Sequence, residues 1–458
     1  MMHRYVVLTK NFALKAAVSE QILLDLRKGT RYILDPLQFA FLQECDGIKT
    51  LLEIANGYDD ISQTVIREFV SNLKAVGALA FADKPSLRKL PKSLAPDISL
   101  KAVHLEASSD CNLSCAHCYQ GNLYPVEASL TLEEIRRLAD EMQKMQVQGV
   151  SISGGEPFKW KYLFDMVHLI EEREMRIISF FTNALLLNEK AVKQIAKLRS
   201  RPTIFVSLDA ITAEGMSFRG LPKKAGALAL EKILGNIKLL LSNGLPVVIN
   251  TVMNKYNYRR LGQMYEVICP LKVSSWRIGF PKRTGNFKEK GDEFGLDWET
   301  MAAASFKLLR HHFRQGRPFH LQMEYLFREE LFEDFQPLPD EAFVCDYERK
   351  RETCCIKPNG DVVSCAYCTD FPIGNIRQNE LWDIWYSRAM QEIKEIRIKD
   401  VKDCQGCELQ SYCATGCRIN AYFLNGDFRN AKDDYACQAV RFFVDTVMPF
   451  LKREGVIK

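Results

Sequence analysis

Residues 111–120 read CNLSCAHCYQ, and this stretch decides how the rest of the chain is read. Cys111, Cys115 and Cys118 fall within eight positions, separated by three residues and then two. Three thiolates this close can hold three irons of a cubane [4Fe–4S] cluster and leave the fourth iron without a protein ligand. An open coordination position marks a reactive centre, by the logic that separates catalytic from structural zinc. The alternative is a zinc site of the three cysteines with His117. That spacing suits zinc poorly, because His117 adjoins Cys118 in the chain.

Around this loop, from about residue 100, short apolar strands alternate with amphipathic helices. AVHLEAS, GVSISG, IISFFTN, TIFVSLD, VVINTVM and WRIGF read as buried strands. LTLEEIRRLADEMQKMQ and LALEKILGNIKLLLSNG read as helices, the first opened by Thr131 and Glu134 as a capping box. Six strand–helix units imply a parallel sheet with right-handed crossovers. They are too few for an eight-fold barrel, so the expected fold is α/β, a partial (β/α)6 barrel or open sheet. Ligands then sit at the C-terminal ends of the strands, and the Cys111 loop follows the first of them.

The chain has 458 residues, 47% hydrophobic and 26% charged, which gives ample material for a core. A net charge of +5, spread among mixed signs, reads as a solvated surface and not as a nucleic-acid footprint. The opening MMHRYVVLTKNFALKAAV lacks a signal-peptide apolar run, and no stretch approaches a membrane span. A cytoplasmic location is expected. There, fifteen cysteines are poorly explained by disulfides. Cys45 and Cys269 read as buried small hydrophobes, and the clustered cysteines as metal ligands.

Before the barrel, residues 1–86 have their own pattern. QILLDLRKGTRYILD reads as a hairpin turning at Lys28-Gly29, followed by helices at PLQFAFLQEC, KTLLEIANG and ISQTVIREFVSNLKAVGAL. A hairpin with three helices suggests a winged-helix-like domain. DKPSLRKLPKSLAPD (83–97) reads as linker sequence, and the linker is placed at residues 87–99. The core is expected at 100–310, a bridging segment at 311–340, a cysteine-rich domain at 341–440 and a final helix at 441–458. IKPNGDVVS reads as a hairpin turning at Asn359-Gly360. No tandem repeat or low-complexity tract is present.

CNLSCAHC resembles the CxxxCxxC signature of the radical S-adenosylmethionine (SAM) enzymes, with His117 where an aromatic residue usually stands. SGGEP (153–157), FTNA with Thr182 and Asn183, SLDA (207–210) and FRG with Arg219 match the supporting motifs in order. The likeness covers about residues 100–285. It implies that Gly154 and Gly155 let the backbone approach a ligand. Glu156 would accept hydrogen bonds from the SAM ammonium, and Arg219 would pair with its carboxylate. Ser207 would donate to that carboxylate, Asn183 would reach the ribose, and His117 belongs to the same cofactor site. SAM would chelate the open iron, and one electron would release a 5′-deoxyadenosyl radical that takes hydrogen from a substrate carbon.

Cys404, Cys407, Cys413 and Cys417, spaced by two, five and three, with Cys437 beyond, resemble the SPASM domain, which holds two auxiliary iron–sulfur clusters. FPIGNIRQNELWDIW (371–385) strengthens the likeness. The family pattern places Cys404, Cys407, Cys413 and Cys437 on one cluster, and Cys345, Cys365 and Cys417 on the other. Cys354 and Cys355 compete for the remaining place, with Cys354 slightly favoured and Cys368 the outsider. A zinc ribbon at 404–417 is the alternative.

Residues 5–83 resemble the PQQ-biosynthesis peptide chaperone, the recognition element of enzymes that modify ribosomally made peptides. The resemblance implies that a leader peptide adds a strand to a sheet edge within residues 4–35. Together these likenesses imply a radical SAM/SPASM maturase of a ribosomally made precursor peptide, supplied with electrons by a flavodoxin- or ferredoxin-type reductant. A thioether crosslink is the first expectation and a carbon–carbon bond the second. The alternatives are sulfatase-maturase-like oxidation of a protein Cys or Ser, and a non-catalytic iron–sulfur or zinc scaffold. Tyr119, Trp276 and Arg277 near strand ends are candidate substrate contacts.

Overall fold

The structure is a computed structural model that describes residues 2–91, 94–96, 99–121, 128–328, 337–345 and 351–457. Parts of the expected linker and bridging segment lie outside these residues. The N-terminal module contains β1 (Tyr5–Leu8), β2 (Phe12–Ala16), β3 (Gln21–Asp25), β4 (Arg31–Ile33), α1 (Pro36–Glu44), β5 (Asp46–Thr50), α2 (Leu51–Ala55), α3 (Asp60–Ala75) and β6 (Leu79–Ala82). The hairpin read from sequence is β3 with β4, in which Ile22 faces Ile33. Gly29, at φ +79°, makes its turn, in a conformation that favours glycine. Asp35 and Gln38 form a capping box at α1, with Pro36 in its first turn. The module also holds strands that were not read from sequence. β2 extends the hairpin to the order β2-β3-β4, and β5-β1-β6 form a second sheet. Both pack on one core that includes Phe12, Phe41, Leu42 and Val70.

The six expected core strands are β7 (Ala102–Glu106), β8 (Gly149–Ser153), β9 (Arg176–Thr182), β10 (Thr203–Ser207), β11 (Val247–Val252) and β12 (Ser275–Gly279). Their connecting helices are α4 (Leu132–Lys144), α5 (Leu163–Glu172), α6 (Glu189–Ala196), α7 (Lys223–Ser242) and α8 (Leu261–Ile268). All six strands are parallel and adjacent in chain order, so each crossover helix covers the same face. That face buries Val103, Ile152, Phe180, Val206 and Ile249 against Leu138, Ile170 and Ile237. The other face is lined by His104, Phe181, Phe205 and Arg277. His104 meets Phe181 edge-on at 5.5 Å, Phe181 stacks on Phe205 at 4.6 Å, and Arg277 lies 5.4 Å over Phe205.

The sheet does not end at residue 310. After α9 (Asn286–Phe294) and α10 (Trp298–Arg314), β13 (His320–Met323) pairs parallel with β12, and β14 (Phe327–Arg328) folds back on it. At the opposite edge β15 (Thr353–Ile356) pairs parallel with β7, and β16 (Asp361–Val363) and β17 (Gly374–Asn375) follow antiparallel. The cysteine-rich region therefore enters the barrel sheet. Its helices are α11 (Leu381–Trp385), α12 (Arg388–Lys394), α13 (Gln410–Cys413), α14 (Arg418–Asn425) and α15 (Asp434–Phe442), then a π-turn and α16 (Met448–Arg453).

The N-terminal module is fixed to the ends of the strands opposite the Cys111 loop. Arg88 donates to Leu8, Thr9 and Phe12 carbonyls and pairs with Glu174, and Arg176 donates to the Leu26 carbonyl. Lys15 is buried there, which lowers its pKa from 10.5 to about 8 despite the nearby Glu174 carboxylate. Between pH 8 and 10.5 the unfolded chain therefore holds this proton and the folded chain does not. Stability gained from this group rises with pH across that window and is absent below it. Lys15→Met removes the penalty. It should stabilise the protein by up to about 3 kcal/mol at pH 7, with the gain fading by about pH 10.5, in urea unfolding at both pH values. An equal gain at both pH values would contradict this account.

Candidate active site

The Cys111 loop leaves the end of β7 and is held from three sides. Ala116 donates its amide to the Phe218 carbonyl at 2.9 Å. Asn286, at the start of α9, donates its amide to the Cys118 carbonyl and its side chain to the Cys115 carbonyl. Lys159 pairs with Asp110 at 2.6 Å. Gly154 and Gly155 pack beneath. A Cβ on Gly154 would lie 2.4 Å from the Ser108 carbonyl, and one on Gly155 2.2 Å from the Asp110 carbonyl. The close approach these glycines permit here is to the loop backbone.

The thiols of Cys111, Cys115 and Cys118 are mutual electrostatic neighbours. Cys115 is pushed up to about 12 by burial, opposed by the Arg219 guanidinium and reinforced by Cys118. Such thiols become ligands when a metal cation replaces their protons. Glu156, 1% exposed, accepts from the Thr182 hydroxyl at 2.7 Å, the Asn183 amide at 2.8 Å and the Phe158 amide at 3.3 Å. Three of about four acceptor positions on its carboxylate are therefore used by protein. Its expected role as a free acceptor for SAM narrows to one lone pair. Burial raises its pKa, against those hydrogen bonds.

Arg219 is 4% exposed and pairs with Asp209, whose other oxygen accepts from the Val252 amide. Asp209 and Thr182 belong to this site and were missed as site residues, although both stand inside the motifs quoted above. The Arg219 Nε is buried without a hydrogen-bond partner, and the guanidinium adjoins Cys111 and Cys115. Asn183 donates to Asn112 at 2.8 Å and lies 4.0 Å from the Cys111 sulfur. Ser207 is half-buried at the end of β10. His117 stacks on Phe218 at 4.4 Å, with Nε2 3.7 Å from Asp209, and burial lowers its pKa to about 4. Its ring is occupied by Phe218.

The C-terminal cysteines form two groups. Cys404, Cys407, Cys413 and Cys437 are mutual electrostatic neighbours, with Cys413 raised to about 12, mainly by burial. Cys345, Cys365 and Cys417 form the second group. Cys368 belongs with them: the Cys365 and Cys368 thiols share a hydrogen bond, and Arg351 adjoins Cys345, Cys365 and Cys368. Cys354 does not. It is 2% exposed and packs in the barrel core beside Val103, on the side of β15 away from these thiols. Adjacent strand residues point to opposite faces. Cys355 accordingly faces Glu106, at 3.5 Å.

Of the candidate substrate contacts, Trp276 is fully buried and donates to Thr251, so it is core. Arg277 lies over Phe205, and Tyr119 donates to Glu106. A cavity of about 560 Å³ opens beside this region, between Phe280, Lys282, Phe287, Trp298, Tyr325 and Asn420. Lys282 pairs with Glu324 on one side and neighbours Cys417 on the other.

Residues 105–268 match the radical SAM superfamily, and residues 345–408 match the SPASM iron–sulfur cluster-binding domain. The AdoMet-dependent heme synthase of Methanosarcina barkeri is 26% identical, over 72% of this chain and 94% of its own. The antilisterial bacteriocin subtilosin biosynthesis protein AlbA of Bacillus subtilis is 22% identical, over 69% of this chain and 66% of its own. The crystal structure of Streptococcus suis SuiB bound to precursor peptide SuiA superimposes with a TM-score of 0.66 at 17% identity. That likeness covers 94% of this chain and 99% of SuiB, so it takes in the N-terminal module. The three-cysteine loop at the end of the first barrel strand lies within the match to the radical SAM superfamily over residues 105–268, and the match to the SPASM iron–sulfur cluster-binding domain covers residues 345–408.

Proposed function

We propose that this protein is a maturase of a ribosomally made precursor peptide. The observation that carries the reading is the unpaired outer edge of β4. Among the described residues no strand lies beyond it in the β2-β3-β4 sheet. Leu34 donates to Gln21, so Tyr32 faces Leu23 in a hydrogen-bonded pair and the Ile33 amide points outward. Ile33 is 76% exposed and Tyr32 37%. An exposed strand edge is a template for an added strand, which is how a leader peptide would bind. The fold likeness to SuiB and the relationship to AlbA support a peptide substrate over a folded protein. The core peptide would enter through the cavity between Phe280, Trp298 and Tyr325.

The cysteines fit three [4Fe–4S] clusters. Cys111, Cys115 and Cys118 would hold the one that binds SAM. Cys345, Cys365, Cys368 and Cys417 would hold one auxiliary cluster, and Cys404, Cys407, Cys413 and Cys437 the other. When bound, the first cluster and SAM would supply radical chemistry for taking a hydrogen atom from a peptide carbon. The chain's own residues orient that chemistry. Arg219 would donate its unpartnered Nε–H to the SAM carboxylate. Asn183 and Ser207 would border the cofactor, and the Phe181–Phe205 stack would close the floor beneath it. A thioether crosslink is our first choice of product and a carbon–carbon bond the second. A flavodoxin- or ferredoxin-type protein would supply electrons.

Two variants test the parts. Cys368→Ala should lose about four irons from the anaerobically reconstituted protein, and Cys354→Ala should lose none. The opposite pattern would restore Cys354 as the ligand. Ile33→Pro removes an outward-pointing donor from an edge strand, a position where proline is tolerated. It should weaken leader-peptide binding about ten-fold, or ~1.4 kcal/mol, without lowering thermal stability. Unchanged affinity would place the leader elsewhere. The whole reading is tested by anaerobic co-expression with the peptide encoded beside the gene. The expected result is loss of two hydrogens per modified site. A thiol no longer alkylatable indicates a thioether, and a free thiol a carbon–carbon bond. An unchanged mass without 5′-deoxyadenosine would overturn the reading.

A further inference from the structure

Glu106 ends β7, and Lys357 follows β15 directly. Both are 0% exposed, and the Lys357 ammonium lies 2.9 and 3.0 Å from the two Glu106 oxygens. Each also binds a different cysteine loop. The Tyr119 hydroxyl donates to Glu106 at 2.8 Å, and the Gln120 amide donates to its other oxygen. Tyr119 and Gln120 directly follow Cys118. Lys357 donates at 2.7 Å to the carbonyl of Ala366, the neighbour of Cys365. The Tyr119 ring meets Tyr367, between Cys365 and Cys368, edge to face at 5.1 Å, and the Lys357 ammonium stands 5.1 Å over it. His104, 3.8 Å from Glu106, and Cys355 complete the surroundings. They do not make a metal site with it, because Lys357 already holds both carboxylate oxygens.

Apolar residues of similar volume could replace a buried ion pair at little loss of stability. Stability alone therefore does not account for this one. What the pair adds is geometry, since both partners also bond to the two loops. The geometry points to Glu106 and Lys357 as positioning residues that lock the loop of Cys118 against the loop of Cys365, so that a disturbance in one is felt at the other. The inference rests on the ligand sets proposed above but not on the identity of the peptide.

The test uses the full chain, anaerobically reconstituted, without peptide. Electron paramagnetic resonance of the reduced protein with SAM reports the radical cluster. A background of Cys111→Ala, Cys115→Ala and Cys118→Ala leaves the auxiliary signals alone. Glu106→Gln, in the barrel strand, should shift the auxiliary signal in that background. Lys357→Met, in the auxiliary strand, should shift the SAM-bound radical-cluster signal. Iron content should stay at the level of each variant's own parent, the triple-cysteine background for Glu106→Gln and the wild-type chain for Lys357→Met. Ile170→Ala, a cavity variant in α5, controls for lost stability and should shift neither signal. If each variant changes only the signal of its own loop, or if Ile170→Ala matches them, the inference fails. Should both charge variants fold poorly, Tyr119→Phe removes only the hydroxyl given to Glu106. An unchanged auxiliary signal there would also overturn it. Because no peptide is added, failure to find a modified peptide leaves this result standing, and the reverse holds too.

Discussion

The seam between β7 and β15 is the constraint on which the rest of the architecture depends. Parallel pairing sets Cys355 beside His104 and Ile356 beside Leu105, and continuing that register sets Lys357 beside Glu106. A buried carboxylate and a buried ammonium then neutralise each other where neither meets water. Leaving either one alone would cost about 3–5 kcal/mol, so the register cannot slip without exposing that penalty. The seam turns a C-terminal cysteine-rich segment into a continuation of the barrel. It also brings into contact two loops far apart in sequence, at Tyr119 and Tyr367, just as it pairs Cys355 with Glu106 across a 249-residue separation.

Around the seam, thiols are crowded and buried. Burial raises Cys115 and Cys413 to about 12, and Cys404 and Cys417 to about 11, with neighbouring thiols adding to it. Groups so reluctant to ionise are poor nucleophiles and good candidates for metal ligation, where the cation supplies the charge that water cannot. The cysteine chemistry and the fold thus agree. Arginines sit where negative charge would gather, with Arg219 beside Cys111 and Cys115, and Arg351 beside Cys345, Cys365 and Cys368.

Much of this was legible in the sequence because it depends on local pattern. The six core strands, the capping box at Thr131 and the hairpin turn at Lys28-Gly29 follow from periodicity, capping chemistry and turn residues, and the two cysteine groupings were implied by the resemblance to the SPASM domain. What escaped depends on distant pairing. β13 and β15 are four residues each, and nothing local says that they flank the barrel strands. β1, β5 and β6 are equally short and are defined by one another. Cys354 was favoured over Cys368 because the sequence does not show which side of β15 faces the barrel core. Asp209 stood in a quoted motif, but its role appears only when Arg219, ten residues on, folds back to meet it. Glu156 was read as a free acceptor because its occupants, Thr182 and the Asn183 amide, come from the next strand.

The central claim is that these cysteines hold a SAM-cleaving cluster, and one assay tests it most directly. The full chain is reconstituted anaerobically with iron and sulfide, reduced in the presence of SAM, and assayed for 5′-deoxyadenosine beside a Cys115→Ala control. The account predicts 5′-deoxyadenosine from the wild-type chain and none above background from the control. Equal traces from both, in a protein that binds zinc without excess iron, would contradict it and leave a metal-binding scaffold in its place.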